Sequence, residues 1–302
     1  MLDAQDTARL LPYPALVEAL RAAALGVAQG QINCPRRQVI EMPGGGKLLS
    51  MAAVAGDVAV HKLIAVTPRN AARGLPTVQG LVSVLDAVSG TLLLTLDGAT
   101  VTGRRTAALS MLGVLALLPA RPRCVRIYGT GMQALHHLQA VAALFPAARL
   151  QVCGRTKAAG EKFRTLHARE FASLLAVEPG GAAGDTDVII ACTTSSEPVY
   201  GEPARAGRLI IAVGAFTPGA AEIAADTVRG SAMYVDDLVN ARQEAGDLIR
   251  AGVDWAQVQP LAQALGEGGV TGEAVLFKTV GSAAWDLAAA RVALATAATS
   301  GA

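Results

Sequence analysis

The segment from residue 124 to residue 156 constrains the fold of this chain more than any other. A β-rich run at 124–128 leads into a glycine turn, an apolar helical pattern that stops at Pro146, and a second β-rich run at 150–153. Strand, glycine turn, helix and strand within about 30 residues are the setting in which a GxGxxG-like turn binds a dinucleotide. The alternative is an ordinary turn of another α/β domain, and we expect dinucleotide binding.

The glycine turn has the residue types that a pyrophosphate requires. Gly129 permits a sharp turn, Gly131 lets the backbone approach the phosphates, and Ala134 allows the helix to lie close to the strand. The free N–H groups at the positive end of the helix then bind the anion. The predicted coenzyme contacts in this turn are Gly129, Thr130, Gly131, Met132, Gln133 and Ala134.

The end of the second β-rich run selects the coenzyme. An NAD site has an acidic residue there for the ribose hydroxyls, and an NADP site has a cation for the 2′-phosphate. Here Gly154, Arg155 and Thr156 follow the run, and the next acid is Glu161. Arg155 can bind a phosphate through two N–H groups. A solvated basic turn is the alternative reading; we expect NADP(H) to be preferred, with NAD(H) possible.

The arrangement of β-rich and helical runs predicts two domains in an α/β chain. A helix begins at Pro14, and β-rich runs follow at 37–42, 48–52, 58–66, 77–85 and 91–96, which favours an antiparallel or mixed sheet. From residue 124 onward strands and helices alternate, with further strands at 188–192, 209–213 and 233–235, which favours a parallel, Rossmann-type sheet. We place a mixed α+β domain at 1–120, a Rossmann domain at 121–277, and a C-terminal helical segment at 278–302.

Composition argues against several classes of protein. The net charge of +2 and the scarcity of aromatic residues, 4%, argue against nucleic-acid binding. The four cysteines have no metal-ligand spacing, which predicts reduced thiols and no metal site. The acidic N-terminus is not a targeting segment, and the apolar run at 112–120 is too short to span a bilayer. We therefore expect a cytoplasmic protein that does not insert into membranes.

Three cations of the first domain are candidates for an anion site. Alternation places Lys62 in a row of apolar side chains, where a bound anion is a natural partner. Thr102 is expected to cap a helix over 106–118, which puts Arg105 at a helix N-terminus, where a cation is disfavoured unless an anion binds. Arg37 begins a strand. Taken singly, each is more often a surface charge.

Other polar residues receive weaker assignments. Thr193 and Thr194 follow a strand at its C-terminal end, where coenzyme loops lie in such sheets. His136 and His137 lie on the helix after the glycine turn, where helix packing or a cap role is the default. Asp286 is expected only to stabilise the first turn of the C-terminal helix.

The combined motifs resemble the ornithine cyclodeaminase/mu-crystallin family over nearly the whole chain. They occupy residues 35–37, Lys62 with Asn70, and residues 74–78, 102–108, 129–134, 154–156, 212–215 and 277–281. The resemblance implies a substrate domain that dimerises through its sheet, and a Rossmann domain; the C-terminal helix, 283–297, returns to the substrate domain. It also implies that Arg37, Lys62 and Arg105 bind a substrate carboxylate. Further coenzyme contacts would be Thr77, Val213, Gly214 and Ala215.

Two positions distinguish between reactions within the family. The cyclodeaminases and similar alanine dehydrogenases have an Asp and a Lys where this chain has Phe216 and Ala220. An aromatic side chain cannot manage protons on substrate amines, so ornithine cyclisation is disfavoured. The resemblance therefore favours reduction of the cyclic ketimino acids Δ1-pyrroline-2-carboxylate and Δ1-piperideine-2-carboxylate to L-proline and L-pipecolate. Phe216 would form an apolar wall for the ring, and Lys62 would assist catalysis.

Three alternatives to ketimine reduction stay open from the sequence. An alanine-type amino-acid dehydrogenase is the nearest enzyme, and ornithine cyclodeaminase is the disfavoured one. A non-catalytic NADP(H)-binding protein, similar to mu-crystallin, belongs to a different class. Retention of Arg37, Lys62 and Arg105 favours a working carboxylate site.

Overall fold

The structure is a computed structural model that describes residues 1–266 and 269–300. The helices are α1 (Ala4–Arg9), α2 (Tyr13–Ala28), α3 (Gly98–Leu117), α4 (Met132–Leu144), α5 (Lys157–Leu166), α6 (Ala225–Arg229), α7 (Leu238–Glu244), α8 (Gly246–Ala251), α9 (Leu261–Ala264) and α10 (Ala283–Ser300). The strands are β1 (Gln38–Met42), β2 (Gly46–Val54), β3 (Val58–Val66), β4 (Val78–Asp86), β5 (Leu92–Asp97), β6 (Cys124–Tyr128), β7 (Arg149–Cys153), β8 (Leu175–Val177), β9 (Val188–Ala191), β10 (Leu209–Ala212), β11 (Ala232–Val235), β12 (Val258–Pro260) and β13 (Val275–Lys278). A 3-10 helix covers Pro68–Arg73.

The chain forms two compact units. The first comprises residues 1–109 and the C-terminal segment that begins at Ser282, and the second comprises residues 110–281. The boundary that we predicted at 120 lies in the loop after α3, whereas the units divide inside that helix.

The first unit is built on a five-stranded sheet in the order β1-β2-β3-β4-β5. Every neighbouring pair of strands is antiparallel. Of the two kinds of sheet that the sequence favoured, antiparallel or mixed, the antiparallel one is present. Helix α10 packs on β2, β3 and α2. In β3 the side chains of Val58, Val60, Lys62 and Ile64 are buried, as the alternation predicts. The sheet therefore directs Lys62 toward the helical layer.

The predicted start of α3 was wrong. The helix begins at Gly98, and the Asp97 carboxylate accepts hydrogen bonds from the N–H of Thr100 (2.7 Å) and from its hydroxyl (2.6 Å). Asp97 therefore performs the capping role that we assigned to Thr102, because it stands directly before the helix and leaves Thr102 inside it. Arg105 lies well within the helix, so the argument from the helix N-terminus does not apply to it.

The second unit has the predicted Rossmann-type architecture. Its eight strands are parallel and lie in the order β12-β11-β13-β10-β9-β6-β7-β8. Strands β6, β9 and β10 are buried along their whole length, as parallel strands covered on both faces must be. Each fully buried Val, Ile or Leu contributes about 1.5–3 kcal/mol to folding. Strands β8, β12 and β13 were not predicted; β8 and β12 have only three residues each, which are too few to show a periodicity.

The cysteines are free thiols, and three of them, Cys124, Cys153 and Cys192, are buried in the second unit. This agrees with the prediction of reduced core cysteines. Within residues 1–266 and 269–300, no group of three His, Cys, Asp or Glu side chains could hold a metal ion. No helix in the same ranges is long and apolar enough to cross a membrane.

Candidate functional site

The first unit contains a buried ionic site formed by Lys62, Arg105 and Asp286. The Lys62 Nζ lies 2.6 Å from Oδ2 of Asp286, and the Arg105 Nε lies 3.2 Å from Oδ1 of the same carboxylate. The exposed fractions of the Lys62 and Asp286 side chains are 1% and 0%. Strand β3, helix α3 and helix α10 thus each supply one charged side chain. We call Arg37, Lys62 and Arg105 together the cationic cluster.

The assignment of Asp286 as a simple helix-stabilising residue was wrong. It is in the first turn of α10, as expected, but its side chain is fully buried against two cations. Sequence analysis missed this role although a signal existed. Asp286 stands among the apolar residues of the first two turns of α10, 283–290, which are buried on all sides, and a carboxylate there requires a cation.

Burial is the main influence on the charge of Lys62. Burial lowers the pKa of Lys62, the positive charges of Arg105 and Arg37 also lower it, and the Asp286 carboxylate raises it, so that the net pKa is about 8. The electrostatic effect of Arg37 on Lys62 indicates that the half-buried Arg37 belongs to the same environment. Three cations and one carboxylate give the site a formal charge of +2 when Lys62 is protonated. That excess favours an anionic ligand.

A side-chain contact joins the segment before β1 to the residue that precedes α10. The Cys34 Sγ and the Ser282 Oγ are 3.1 Å apart.

In the loop after β3, the Asn70 side chain donates to the carbonyl of Pro76 (3.0 Å), and the Thr67 N–H donates to the carbonyl of Thr77 (2.7 Å). Thr77, a predicted coenzyme contact, is exposed in this loop.

The glycine turn of the second unit has the geometry of a phosphate cradle. Gly129 has a φ of +129°, and a Cβ on it would lie 2.8 Å from the Cys192 carbonyl oxygen, so a side chain is excluded. A Cβ on Gly131 would meet nothing within 4 Å, which leaves room for a ligand at the start of α4. No side chain caps α4, so its first N–H groups can bind an anion. Ala134 is fully buried, as the third position of the motif requires.

The remaining residues of the turn differ in exposure. Thr130 and Gln133 are half-buried, and the Met132 side chain is 66% exposed. His137 is buried, and its two ring nitrogens are 2.7 Å from the Gln133 carbonyl and 2.9 Å from the Ser110 hydroxyl. A carbonyl only accepts, so Nδ1 donates to Gln133 and Nε2 accepts from Ser110. His137 therefore packs the helix, in agreement with its default role.

The end of β7 presents a basic side chain in place of a carboxylate. Arg155 is exposed there, and Gly154 is required because a Cβ on it would lie 2.6 Å from the Gly160 nitrogen. Thr156 caps α5 by accepting a hydrogen bond from the N–H of Ala159 (3.2 Å). Its hydroxyl hydrogen can still be donated to a ligand. Glu178, the carboxylate after neighbouring strand β8, pairs with Lys157 at 2.6 Å.

A buried carboxylate joins the two loops that follow β9 and β10. The Glu222 side chain accepts the N–H of Thr193 through Oε1 and the N–H of Gly214 through Oε2, both at 2.5 Å. Burial raises the pKa of Glu222, and the nearby Lys278 ammonium counteracts this rise. The Asp247 carboxylate accepts the N–H of Glu222 at 2.6 Å and pairs with Lys278 at 3.0 Å. Predicted coenzyme loops are thus fixed by residues that sequence analysis did not select.

The other predicted residues of these loops also have defined positions. Val213 is half-buried and Ala215 is buried, whereas Thr194 is exposed. The Phe216 side chain is 43% exposed beside Ala215.

Comparison with known proteins places this geometry in a family. Residues 1–300 match the ornithine cyclodeaminase/mu-crystallin family. The chain belongs to the ornithine cyclodeaminase/mu-crystallin family. The chain is 50% identical over 293 residues to Δ1-pyrroline-2-carboxylate reductase 1 of Burkholderia multivorans. The match covers 97% of this chain and 94% of the relative. The chain is 49% identical, with the same coverage, to the Δ1-pyrroline-2-carboxylate/Δ1-piperideine-2-carboxylate reductase of Azospirillum brasilense.

A solved structure has the same fold. The Δ1-pyrroline-2-carboxylate reductase of Thermococcus litoralis, in complex with NADH and L-proline, superposes with a TM-score of 0.89. It is 26% identical, and the match covers 98% of this chain and 97% of that chain. The resemblance that the sequence motifs indicated is therefore confirmed, together with the Rossmann-type fold.

Two buried acidic residues of the present chain were not predicted, and the reason is the same for both. Asp286 and Glu222 are fully buried carboxylates, and each has a partner at a distance in the sequence, 181 residues away for Arg105 and Asp286 and 29 residues away for Thr193 and Glu222. Short-range patterns cannot reveal such partners. The available signal was the same for both residues. Asp286 and Glu222 each stand inside an apolar run of the sequence.

Proposed function

We propose that this protein reduces the cyclic ketimino acids Δ1-pyrroline-2-carboxylate and Δ1-piperideine-2-carboxylate to L-proline and L-pipecolate with a nicotinamide coenzyme. The observation that carries the proposal is the buried cationic cluster with its formal excess of positive charge. It occurs in a chain that is 50% identical to a protein named Δ1-pyrroline-2-carboxylate reductase. An anionic substrate and a reduced coenzyme account for both observations.

The first unit binds the substrate in this proposal. Arg105 and Lys62 have positive groups whose partner, Asp286, neutralises only part of their charge. Arg37 adds a third positive charge that acts on Lys62. A substrate carboxylate bound by these three side chains would be oriented as well as neutralised, and orientation accounts for much of the rate enhancement in such reactions. The proposal also retains Phe216, a residue of the second unit, as an apolar wall for the ring.

The second unit binds the coenzyme. The fit rests on the open space at Gly131 and on the uncapped N-terminus of α4, which suit a pyrophosphate. Loops held by Glu222 present Thr193, Thr194 and Gly214 at the carboxyl ends of parallel strands, where ligands bind in such sheets. The remaining contacts in this proposal are Thr77, Gly129, Thr130, Met132, Gln133, Ala134, Gly154, Arg155, Thr156, Val213 and Ala215.

We propose a preference for NADP(H) over NAD(H). Arg155 is exposed directly after β7, and no carboxylate stands at the end of that strand to bind ribose hydroxyls. The acid of the neighbouring strand, Glu178, is paired with Lys157. Arg155 can therefore bind the 2′-phosphate through a charge-assisted pair of hydrogen bonds.

The chemistry requires little from the side chains beyond positioning and one proton. When bound, a reduced nicotinamide supplies the hydride that adds to the C=N carbon. Lys62 is the candidate donor for the nitrogen, because its lowered pKa of about 8 is close to the working range of a general acid. A substrate that arrives already protonated needs only the binding function of Lys62.

A homodimer formed through the sheet of the first unit completes the proposal. Strand β1 is exposed along four of its five residues, and Val39 and Ile40 are 47% and 55% exposed. Leu92 and Leu93 at the other edge are also exposed. Apolar edge strands of this kind are commonly covered by a partner.

The deciding experiment is a substrate screen with purified protein. Oxidation of NADPH and NADH is followed with each ketimino acid and with pyruvate plus ammonia. Release of ammonia is followed with L-ornithine plus NAD⁺, because cyclodeamination consumes no net coenzyme. We expect turnover with the ketimino acids, and faster turnover with NADPH. Turnover only with pyruvate and free ammonia would support an alanine-type dehydrogenase. Coenzyme binding without turnover of any substrate would support a binding protein.

A further inference from the structure

We infer that Asp286 is a positioning residue of the cationic cluster: its carboxylate orients Lys62 and Arg105 and keeps Lys62 protonated. This inference rests on the proposed function, because it assigns Asp286 to the same site. Nothing in the sequence motifs pointed to this residue.

The geometry makes Asp286 the shared partner of two cations. One carboxylate oxygen lies 2.6 Å from the Lys62 Nζ, and the other lies 3.2 Å from the Arg105 Nε. The carboxylate is fully buried, so water does not compete for these contacts. Each of the three side chains comes from a different element, β3, α3 or α10. The carboxylate therefore fixes the distance between the two positive groups.

The charges around Lys62 make Asp286 decisive for its protonation. Arg105 from α3 and Arg37 from the segment before β1 both repel the ammonium group, and burial also disfavours it. The flanking strands β2 and β4 contribute Met51 and Val82 opposite Lys62, which are apolar. Asp286 is the negative group among these influences, and the lowered pKa of Lys62, about 8, includes its stabilising effect.

Protonation of Lys62 matters because arginine stays charged throughout the physiological range, whereas lysine does not. With Lys62 protonated the site carries three positive charges and one negative charge. Without that proton the formal charge of the site falls from +2 to +1. The Lys62 amine then no longer offers a charged donor to the substrate carboxylate. Asp286 thus reduces the net charge of the empty site but preserves the charge that the substrate uses.

The test is the pH dependence of Asp286→Asn. Asparagine has nearly the same shape but no charge, so Lys62 should lose its proton at lower pH. We expect the alkaline limb of the kcat/KM profile to move down by at least about one pH unit, which is about tenfold in kcat/KM on that limb. At pH 6 the loss should be much smaller. NADPH affinity should stay within twofold of wild type.

The matched control is Asp57→Asn. Asp57 precedes β3 and pairs with Arg291 of α10 at 2.6 Å, so it also links β3 to α10 by an ion pair, but at the surface. We expect this variant to keep the wild-type pH profile. The substrate's own ionisation is the same in all variants, so only a difference between profiles reports on Lys62.

A second measurement does not depend on activity. The sequence contains only five lysines, so ¹³C labelling at lysine Cε gives few signals. Lys62→Arg identifies the Lys62 signal by its loss. We expect a charged Lys62 at pH 7 in the wild-type protein and, where Asp286→Asn folds, a neutral one at lower pH than in wild type.

The outcomes separate this inference from the proposed function. Parallel pH profiles for wild type and Asp286→Asn, or a Lys62 that is neutral at pH 7 in wild type, would overturn the inference while reductase activity stands. Absence of ketimine reduction by wild type would overturn the proposed function, and the lysine titration would still decide the role of Asp286.

Discussion

The carboxylate of Asp286 and the ammonium group of Lys62 lie 2.6 Å apart, with exposed fractions of 0% and 1%. Removal of one partner from a buried ion pair typically costs about 3–5 kcal/mol, because the other charge is left without compensation. A natural sequence that retains such a pair gains little stability over an apolar pair of similar volume. The pair is therefore better explained by a need for positive charge at this position. The binding of an anionic substrate would create that need.

Arg105→Ala should impair substrate binding and leave the coenzyme site intact. A hydrogen bond to a charged group is worth about 1.5–3 kcal/mol, so kcat/KM for Δ1-pyrroline-2-carboxylate should fall roughly 10- to 150-fold. Steady-state kinetics measure this effect, and NADPH fluorescence titration measures the coenzyme. The matched control is Arg104→Ala, which removes a hydrogen bond to the Leu11 carbonyl and a contact with the Tyr13 ring. Equal effects of the two variants on KM would remove Arg105 from the substrate site.

Arg155→Ala should change the choice of coenzyme. Loss of a charge-assisted contact to the 2′-phosphate should raise the Kd of NADPH about tenfold or more. The Kd of NADH should change little, because NADH lacks that phosphate. The control is Arg164→Ala in α5, whose side chain pairs with Glu161. A parallel loss of affinity for both coenzymes would contradict the assignment of Arg155.

Glu222→Gln should weaken binding of both coenzymes. The glutamine side chain can accept from only one of the two N–H groups, of Thr193 and Gly214, that the carboxylate binds. An unpaired buried N–H costs about 1–3 kcal/mol, so one loop should lose its fixed position. We expect a rise of about tenfold in Kd for NADH and NADPH alike, measured by fluorescence titration.

Glu202→Gln is the comparison for this variant. Glu202 accepts the N–H of Ala183 and pairs with Arg208 at 2.6 Å in the same unit, nine residues beyond Thr193 in the segment that joins β9 to β10. It should lower thermal stability without a comparable loss of coenzyme affinity. If both variants weaken coenzyme binding equally, the effect of Glu222→Gln is a general destabilisation of the unit.

Sequence analysis predicted those features that depend on short-range pattern. The alternation in β3 placed Lys62 on the buried face, and the glycine turn with its flanking strand and helix identified the Rossmann-type unit. It failed where a partner is remote in the sequence. Asp286 is separated from Lys62 by most of the chain, so its charge seemed to serve only its own helix. The start of α3 was wrong because two capping residues, Asp97 and Thr102, compete locally.

Ile40→Lys should separate the proposed dimer. Ile40 is 55% exposed on the edge strand β1, and a lysine there would place a like charge from each subunit in an apolar contact. Light scattering coupled to size exclusion should show half the wild-type mass. Val88→Lys is the control, because Val88 is 88% exposed in the turn between β4 and β5. A wild-type protein that is already monomeric, or an Ile40→Lys variant that keeps the wild-type mass, would contradict this arrangement.

His137 should make the second unit sensitive to acid. Burial lowers the pKa of His137 to about 4, below its ordinary value of 6.5, although the hydrogen bond to Gln133 raises it slightly. The unfolded chain therefore binds the proton first as the pH falls, so the folded state is fully favoured above pH 6.5 and loses stability between pH 6.5 and pH 4. A shift of this size corresponds to about 3 kcal/mol. Urea unfolding at pH 7 and pH 4.5 should show that His137→Gln, which does not titrate, loses less stability on acidification than wild type. An equal loss in both proteins would assign the acid sensitivity to other groups.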